Sequence, residues 1–245
     1  MGEHAGTDRS EGAAAARAPW ENLSGARGEA LPGARGEALP GAPLPAAWFA
    51  RPATDVAPAL LGVLLVRQPT DGEPSGASLV ARIVEAEAYT EDDPACHASR
   101  GRTPGNAPLF GPPGTAYVYR SYGVHWLFNV VTGAPGRGEG VLVRAAEPLA
   151  GWEAFRERRG SVADRDLLRG PGRLAQAFAI DGRWSGHNLC GPPPAALHLR
   201  DDGAQVPRQA GPRVGIAHAP DWPHRWVVPG SRWVSPYQRS PRAPR

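Results

Sequence analysis

Tyr117-Val-Tyr-Arg-Ser-Tyr-Gly-Val-His-Trp-Leu-Phe-Asn129 consists of two β-forming runs around a Ser-Tyr-Gly-Val tip. Such a pattern predicts a β-hairpin with Tyr122 at its point. The period of two puts Tyr117 and Tyr119 on one face and sets Asn129 on the face of Leu127 and Val131. Read alone, the stretch fits a half-buried hairpin whose aromatics are core. It also fits an exposed ring poised to enter something stacked.

Outward from the hairpin, residues 79–89 read as a long strand, and 140–146 as another, closed by Glu147-Pro148. Between the first strand and the hairpin, residues 90–114 form a loop of a length that is usually functional or disordered. Upstream, Thr54 or Asp55 can cap a short helix through residues 56–61, with Gly62 as its stop, before a strand at 63–67. Residues 70–76 carry turn chemistry. Downstream, helices are expected at 151–159, 164–169 and 171–179, the last started by Pro171. Residues 182–212 read as loop-rich, with late strands at 213–217 and 226–228. Strands outnumber helices and cluster centrally, so the class is α+β, one domain over 46–236. Residues 1–45, in which the octet Gly-Ala-Arg-Gly-Glu-Ala-Leu-Pro occurs at 25–32 and again at 33–40, read as a disordered tail. Residues 237–245 read as a frayed basic tail.

Composition narrows the chemistry. The 245 residues contain no lysine, so all 27 basic side chains are arginine. That excludes a lysine Schiff base and a phosphate-loop nucleotidase. Two cysteines, Cys96 and Cys190, make neither a four-cysteine zinc site nor a disulfide framework. No apolar run is long enough to span a membrane and no signal peptide is evident, so a cytoplasmic protein is expected. Net charge is +3; six acids and four arginines in residues 1–45 leave +5 on the remainder. An arginine-rich surface of that sign suits a polyanion.

Glu85 and Glu87 alternate with Ala86, placing two carboxylates on one face of an apolar strand. Buried carboxylates are costly unless paired or used. Arg144, between Val143 and Ala145, poses the matching problem, and an Arg–Glu partnership would resolve both. His97 lies in the long loop, where a surface role and a pocket role are both open. Arg169-Gly-Pro-Gly-Arg173 opens a helix whose flanking arginines suit a phosphate, or is an ordinary helix start.

Ile83-Val-Glu-Ala-Glu-Ala-Tyr89, His97, Thr103-Pro-Gly-Asn106, Pro113-Gly-Thr-Ala-Tyr-Val-Tyr119, Tyr122-Gly123, Asn129, Leu142-Val-Arg-Ala-Ala-Glu-Pro148 and Gly170-Pro-Gly-Arg-Leu174 follow one another in an order that resembles the alkyladenine (3-methyladenine) DNA glycosylase family. The resemblance runs from about 52 to 234. It implies a single-domain α+β enzyme on a curved, mainly antiparallel sheet, without metal or cofactor. Such an enzyme flips a damaged purine out of double-stranded DNA and hydrolyses its N-glycosidic bond. By matching position, Tyr122 is the intercalating wedge. Tyr89, His97 and Tyr119 sandwich the flipped base, Asn129 excludes the guanine 2-amino group, and Leu142 lines the pocket. Glu87 is the general base, with Arg144 and the Ile216 carbonyl holding the water. Val124, His125, Arg120 and Arg173 are the expected DNA contacts. Without lysine there is no lysine-based strand-cleaving step, so a monofunctional enzyme with no lyase step is expected, and a monomer is expected of an enzyme that must wrap one lesion.

Three departures stand out from the family pattern. Gly105 replaces a usual arginine, Leu109-Phe110 replaces Met-Phe, and Arg120-Ser121 replaces a more apolar pair beside the wedge. A non-catalytic nucleic-acid-binding protein on the same scaffold is the runner-up, disfavoured because Glu87, Tyr89, His97, Tyr122 and Arg144 occur together. A small-molecule hydrolase would explain Glu87 but not the wedge.

Overall fold

The spine of the sheet is β3 (Leu79–Tyr89), buried along its length up to Ala88. A strand so apolar, covered on both faces, must lie centrally. A computed structural model describes residues 39–70, 78–191 and 196–244. In chain order the strands are β1 (Ala42–Pro43), β2 (Leu64–Arg67), β3, β4 (Ala116–Ser121), β5 (His125–Val131), β6 (Gly140–Ala150), β7 (Leu197–Asp201), β8 (Gln209–Gly211) and β9 (Arg225–Val227). The helices are α1 (Ala46–Phe49), α2 (Ala53–Ala59), α3 (Trp152–Arg159) and α4 (Pro171–Ala177).

All strand pairs described are antiparallel, in the order β1-β7-β2-β3-β6-β5-β4, with β9 joining β3 and β8 joining β9. β6 occupies one edge of β3 along most of its length. The other edge is shared: β2 pairs with residues 79–82, then β9 takes over at 85–87. Register shifts flank Glu85, so the strand bends where its two carboxylates sit. α4 starts with Pro171 at N1 and buries Leu174, Ala175 and Ala177 against β5 and β6. α3 is held to it through Phe155 and Phe178, ring centroids 5.1 Å apart. The α+β class and the curved antiparallel sheet are therefore as expected.

Several expected elements differ. Ala42 and Pro43 pair with Asp201 and Arg200, and Arg200 donates to the Pro40 carbonyl, so the folded part begins before residue 46. The tail up to residue 38, with nearly all of its octet repeat, and the turn at 71–76 lie outside the described residues. α2 has no side-chain cap from Thr54 or Asp55; instead the Ala53 N–H is taken by the buried Glu139 carboxylate at 3.0 Å. The 164–169 helix shrinks to one 3-10 turn, Asp164–Asp166. β6 runs through Glu147-Pro148 to Ala150, because a register shift at Val80/Ala81 absorbs the proline. β7, in the stretch read as loop, is an interior strand between β1 and β2.

Residues 213–217 are not a strand but an irregular loop with Gly215 at φ 74°. Residues 237–244 are not frayed. The Gly215 N–H donates to the Gln238 carbonyl at 2.8 Å, and Arg239 pairs with Asp221.

Candidate active site

The two strand carboxylates share one cation. Arg144 on β6 donates from Nε to Glu85 at 2.9 Å and from Nη1 to Glu87 at 3.2 Å. Both carboxylates are fully buried. Glu85 also accepts from Arg225 Nε at 2.8 Å and from the backbone and hydroxyl of Ser235 at 2.7 and 2.8 Å. Burial pushes its carboxyl up, but Arg144 and Arg225 outweigh that and hold it below the ordinary value. Glu85 is thereby a fixed anion that aims Arg144.

Glu87 is placed differently. Its Oε2 accepts from the Tyr89 hydroxyl at 2.8 Å and from Arg144, and its Oε1 accepts from the Val214 N–H at 2.8 Å. A carboxylate has about four acceptor positions. Three are filled among the described residues, and the open one is on Oε1. The three donors, Tyr89, Arg144 and Val214, all line a cavity of ≈ 610 Å³, so Glu87 lies just beneath its floor.

The cavity walls are aromatic. His97 and Tyr119 meet edge to face with centroids 4.3 Å apart, and Tyr117 stacks behind Tyr119 at 5.5 Å. Tyr117 also pairs its hydroxyl with His97 Nδ1 at 2.8 Å and so sets the imidazole orientation. Tyr89 lines the same cavity without a ring contact to His97 or Tyr119 among the described residues. Behind Tyr89, the Arg213 guanidinium lies 4.6 Å from its ring centroid and is ion-paired with Asp93, both side chains fully buried. Nothing in local sequence pairs those two residues, which are 120 positions apart. Leu142, Asn129 and Ile216 line the cavity too, and Asn129 is held by its Nδ2 donating to the Tyr117 carbonyl at 3.1 Å. Cys96 also reaches it, but burial raises that thiol to about 11, which makes it a poor nucleophile.

The loop carrying His97 is pinned by Asn106, whose Nδ2 donates to the His97 and Gly101 carbonyls at 2.9 and 3.0 Å. At the variant position Gly105, an added Cβ would meet only the Thr103 hydroxyl at 4.0 Å. Packing therefore does not demand glycine there, and the loop keeps its anchor without the family arginine.

Above the cavity stands the β4–β5 hairpin. The Val124 N–H closes the turn on the Ser121 carbonyl at 3.0 Å, with Tyr122 and Gly123 at φ 50° and 70°. Positive φ at both central positions is the turn that matches strand twist. At Tyr122 it costs a non-glycine residue roughly 1–2 kcal/mol, a strain typical of functional positions. Tyr122 is 87% exposed and Val124 62%. Exposed His125 follows, and Arg120 packs over Trp126 at 5.5 Å, so the shoulder is braced by its own cation. Arg173 stands apart, bonded to Asp166 at 3.1 Å. The structure thus gathers Tyr89, His97, Tyr119, Asn129, Leu142, Arg144 and Ile216 on one cavity, sets Glu87 under it, and leaves Arg173 outside.

Residues 47–232 match the family model for methylpurine-DNA glycosylase (MPG). The chain belongs to this family. Proteins named "Putative 3-methyladenine DNA glycosylase" are similar to it over most of its length. The one from Burkholderia lata is 50% identical over 198 residues, covering 79% of this chain and 91% of the relative. That from Carboxydothermus hydrogenoformans is 44% identical, covering 78% and 98%, and that from Salinibacter ruber 47% identical, covering 79% and 97%. As a member of the methylpurine-DNA glycosylase family the chain is a DNA-repair glycosylase, and its substrate is DNA. Among the described residues, no helix is long and apolar enough to cross a membrane.

Proposed function

We propose that this glycosylase flips an alkylated or deaminated purine (3-methyladenine, 7-methylguanine or hypoxanthine) from duplex DNA into the 610 Å³ cavity and hydrolyses its bond to the sugar. The observation that carries the reading is Glu87. It is fully buried, bonded by three cavity-lining donors, and has one acceptor position on Oε1 without a donor among the described residues.

In this mechanism Glu87 takes a proton as the water oxygen bonds to the sugar C1′. The C1′–N bond breaks and its electron pair leaves with the purine. Arg144 and the Ile216 carbonyl hold the water. A purine alkylated at N3 or N7 is already cationic and leaves without an acid, so one carboxylate suffices where most sugar hydrolases use two. Tyr89 on one wall and His97 with Tyr119 on the other take the base between electron-rich faces. Asn129 stands against a guanine 2-amino group and Leu142 fills the floor. Tyr122 enters the duplex, with Val124, His125 and Arg120 against the adjacent backbone. Arg173 serves the backbone only where a phosphate displaces Asp166. With no lysine in the chain, the reaction stops at the abasic site, which makes the enzyme monofunctional. One protein molecule serves one lesion, so a cytoplasmic monomer acting at the chromosome is the proposed form.

The test is release of base from duplexes carrying one hypoxanthine or one 3-methyladenine, read as alkali-labile sites. No release from either at stoichiometric protein would point to a non-catalytic DNA-binding role instead. Tyr122→Ala is expected to weaken lesion-duplex binding by about 1–3 kcal/mol, the worth of one aromatic stacked on a base. Unchanged affinity would return the hairpin to a packing role.

His97 supplies a pH signature. Burial holds its imidazole below the ordinary histidine value, so it is neutral at neutral pH. As pH falls through the folded value, the wall gains a positive charge beside the base. Release of cationic 7-methylguanine should therefore decline more steeply in acid than release of neutral hypoxanthine. Taking the ratio of the two cancels any pH dependence that both reactions share. His97→Phe should flatten that ratio; a ratio already flat in the wild-type chain would remove His97 from the base wall.

A further inference from the structure

The stretch after Ser235 is the least expected part of the molecule. Ser235 is tied to Glu85 beneath the cavity. From there the chain turns outward, and Gln238, Arg239, Ser240 and Pro241 line the base cavity itself. The stretch is secured at several points. The Gly215 N–H holds the Gln238 carbonyl, and Arg239 bonds Asp221 and, through Nη2 at 2.9 Å, the Pro244 carbonyl. Ser240 is buried, its hydroxyl accepts from the Arg242 N–H at 3.2 Å, and its carbonyl accepts from the Ala243 N–H at 3.1 Å. That side-chain turn presents Arg242 outward.

Arg242 lines a second cavity of ≈ 380 Å³ beside the first. His97, Ile216 and Tyr122 border both, so this groove runs from the base site to the foot of the exposed hairpin tyrosine. Arg100 and His218 are among its walls, and among the described residues no carboxylate is. Arg100 and Arg242 are exposed, and neither has an ion-pair partner among the described residues. Three buried arginines near the base cavity are already committed: Arg144 to two glutamates, Arg213 to Asp93, Arg225 to Glu85.

We infer that the groove between the 94–100 loop and the 240–243 turn is a phosphate clamp for the DNA strand that carries the flipped nucleotide, with Arg242 as its donor from the segment after Ser235. The inference rests on the duplex-DNA reading above and gives this segment a part in the same site. A tyrosine wedge at one end of the groove and a base cavity at the other require backbone phosphates to pass between them. Uncommitted guanidinium groups there meet a phosphate with strong, directional hydrogen bonds.

The test is binding of the full chain to an undamaged duplex, measured from 50 to 200 mM salt. Each phosphate contact contributes about 0.9 to the slope of log affinity against log salt. Arg242→Ala should lower that slope by about 0.9, so that its binding defect is roughly 3-fold greater at 50 mM than at 200 mM salt, by the same relation. Arg242→Glu should weaken binding further. Arg156→Ala, which removes the same charge on α3 away from the groove, should leave the slope in place. An unchanged slope in Arg242→Ala overturns the clamp, as does an equal change in Arg156→Ala. Tighter binding by Arg242→Ala also overturns it, because the segment would then be obstructing DNA. A wild-type chain whose slope is lowered by Arg242→Ala but which releases no base would count against the lesion chemistry alone, not the clamp.

Discussion

Glu87→Gln is expected to keep lesion-duplex binding and to lower single-turnover base release by about 10²–10⁴-fold, the usual range for losing a general base. The substitution preserves shape. The Gln carbonyl can still accept from two of the three donors that hold Glu87, Tyr89, Arg144 and the Val214 N–H. Its amide cannot accept at all, so one of those donors faces another donor. The variant also has no carboxylate to take the water proton. The check is a paired measurement of binding to an uncleavable abasic analogue and release from a lesion duplex. Release within a few-fold of wild type would move the base role to another residue.

Arg144→Met should have the second largest effect, on stability. Methionine fills similar space but withdraws the cation shared by two fully buried carboxylates. Breaking a buried pair from one side costs about 3–5 kcal/mol, because the remaining charge is left uncompensated. Glu85 keeps Arg225 and Ser235, whereas Glu87 keeps only the Tyr89 hydroxyl and the Val214 N–H. Urea unfolding would show the stability loss. A variant as stable as wild type would mean that Arg144 does not hold this pair.

In the wild-type chain the sign of the linkage at Glu85 follows from its lowered pKa. Its stabilising contribution is complete above the ordinary carboxylate range and is lost as pH falls through the folded value. Acid should therefore loosen Arg144 and the Ser235 anchor together.

Much of the site could be read locally because strand alternation is local. Glu-Ala-Glu at 85–87 within an apolar run announces two carboxylates on one face, and Arg144 within another announces the cation they need. The hairpin tip was legible for the same reason: Tyr-Gly between β-forming runs is a tight-turn signal. The weak readings were those where long-range partners decide. Residues 213–217 have the composition of a strand, yet Val214 spends its N–H on Glu87, and Gly215 gives its own to Gln238. Polar and short, β7 finds its place only between β1 and β2. Residues 237–244 look like an untethered basic tail until Gly215 and Asp221 hold them.

By itself, the amino-acid sequence determined the α+β class, the family, the buried carboxylate pair and the hairpin with Tyr122 at its tip. Each of these is carried by spacing within a few residues or by ordered motifs along the chain. Only the tertiary structure decided that Glu87 has one acceptor position left and that Arg213 with Asp93 backs Tyr89. It also decided that the Tyr117 hydroxyl orients His97 and that the stretch after Ser235 walls the base cavity. Those features depend on groups 20 to 150 positions apart meeting in space. No periodicity encodes such pairings; burial enforces them, because a polar group removed from water must find its partner wherever the fold brings one.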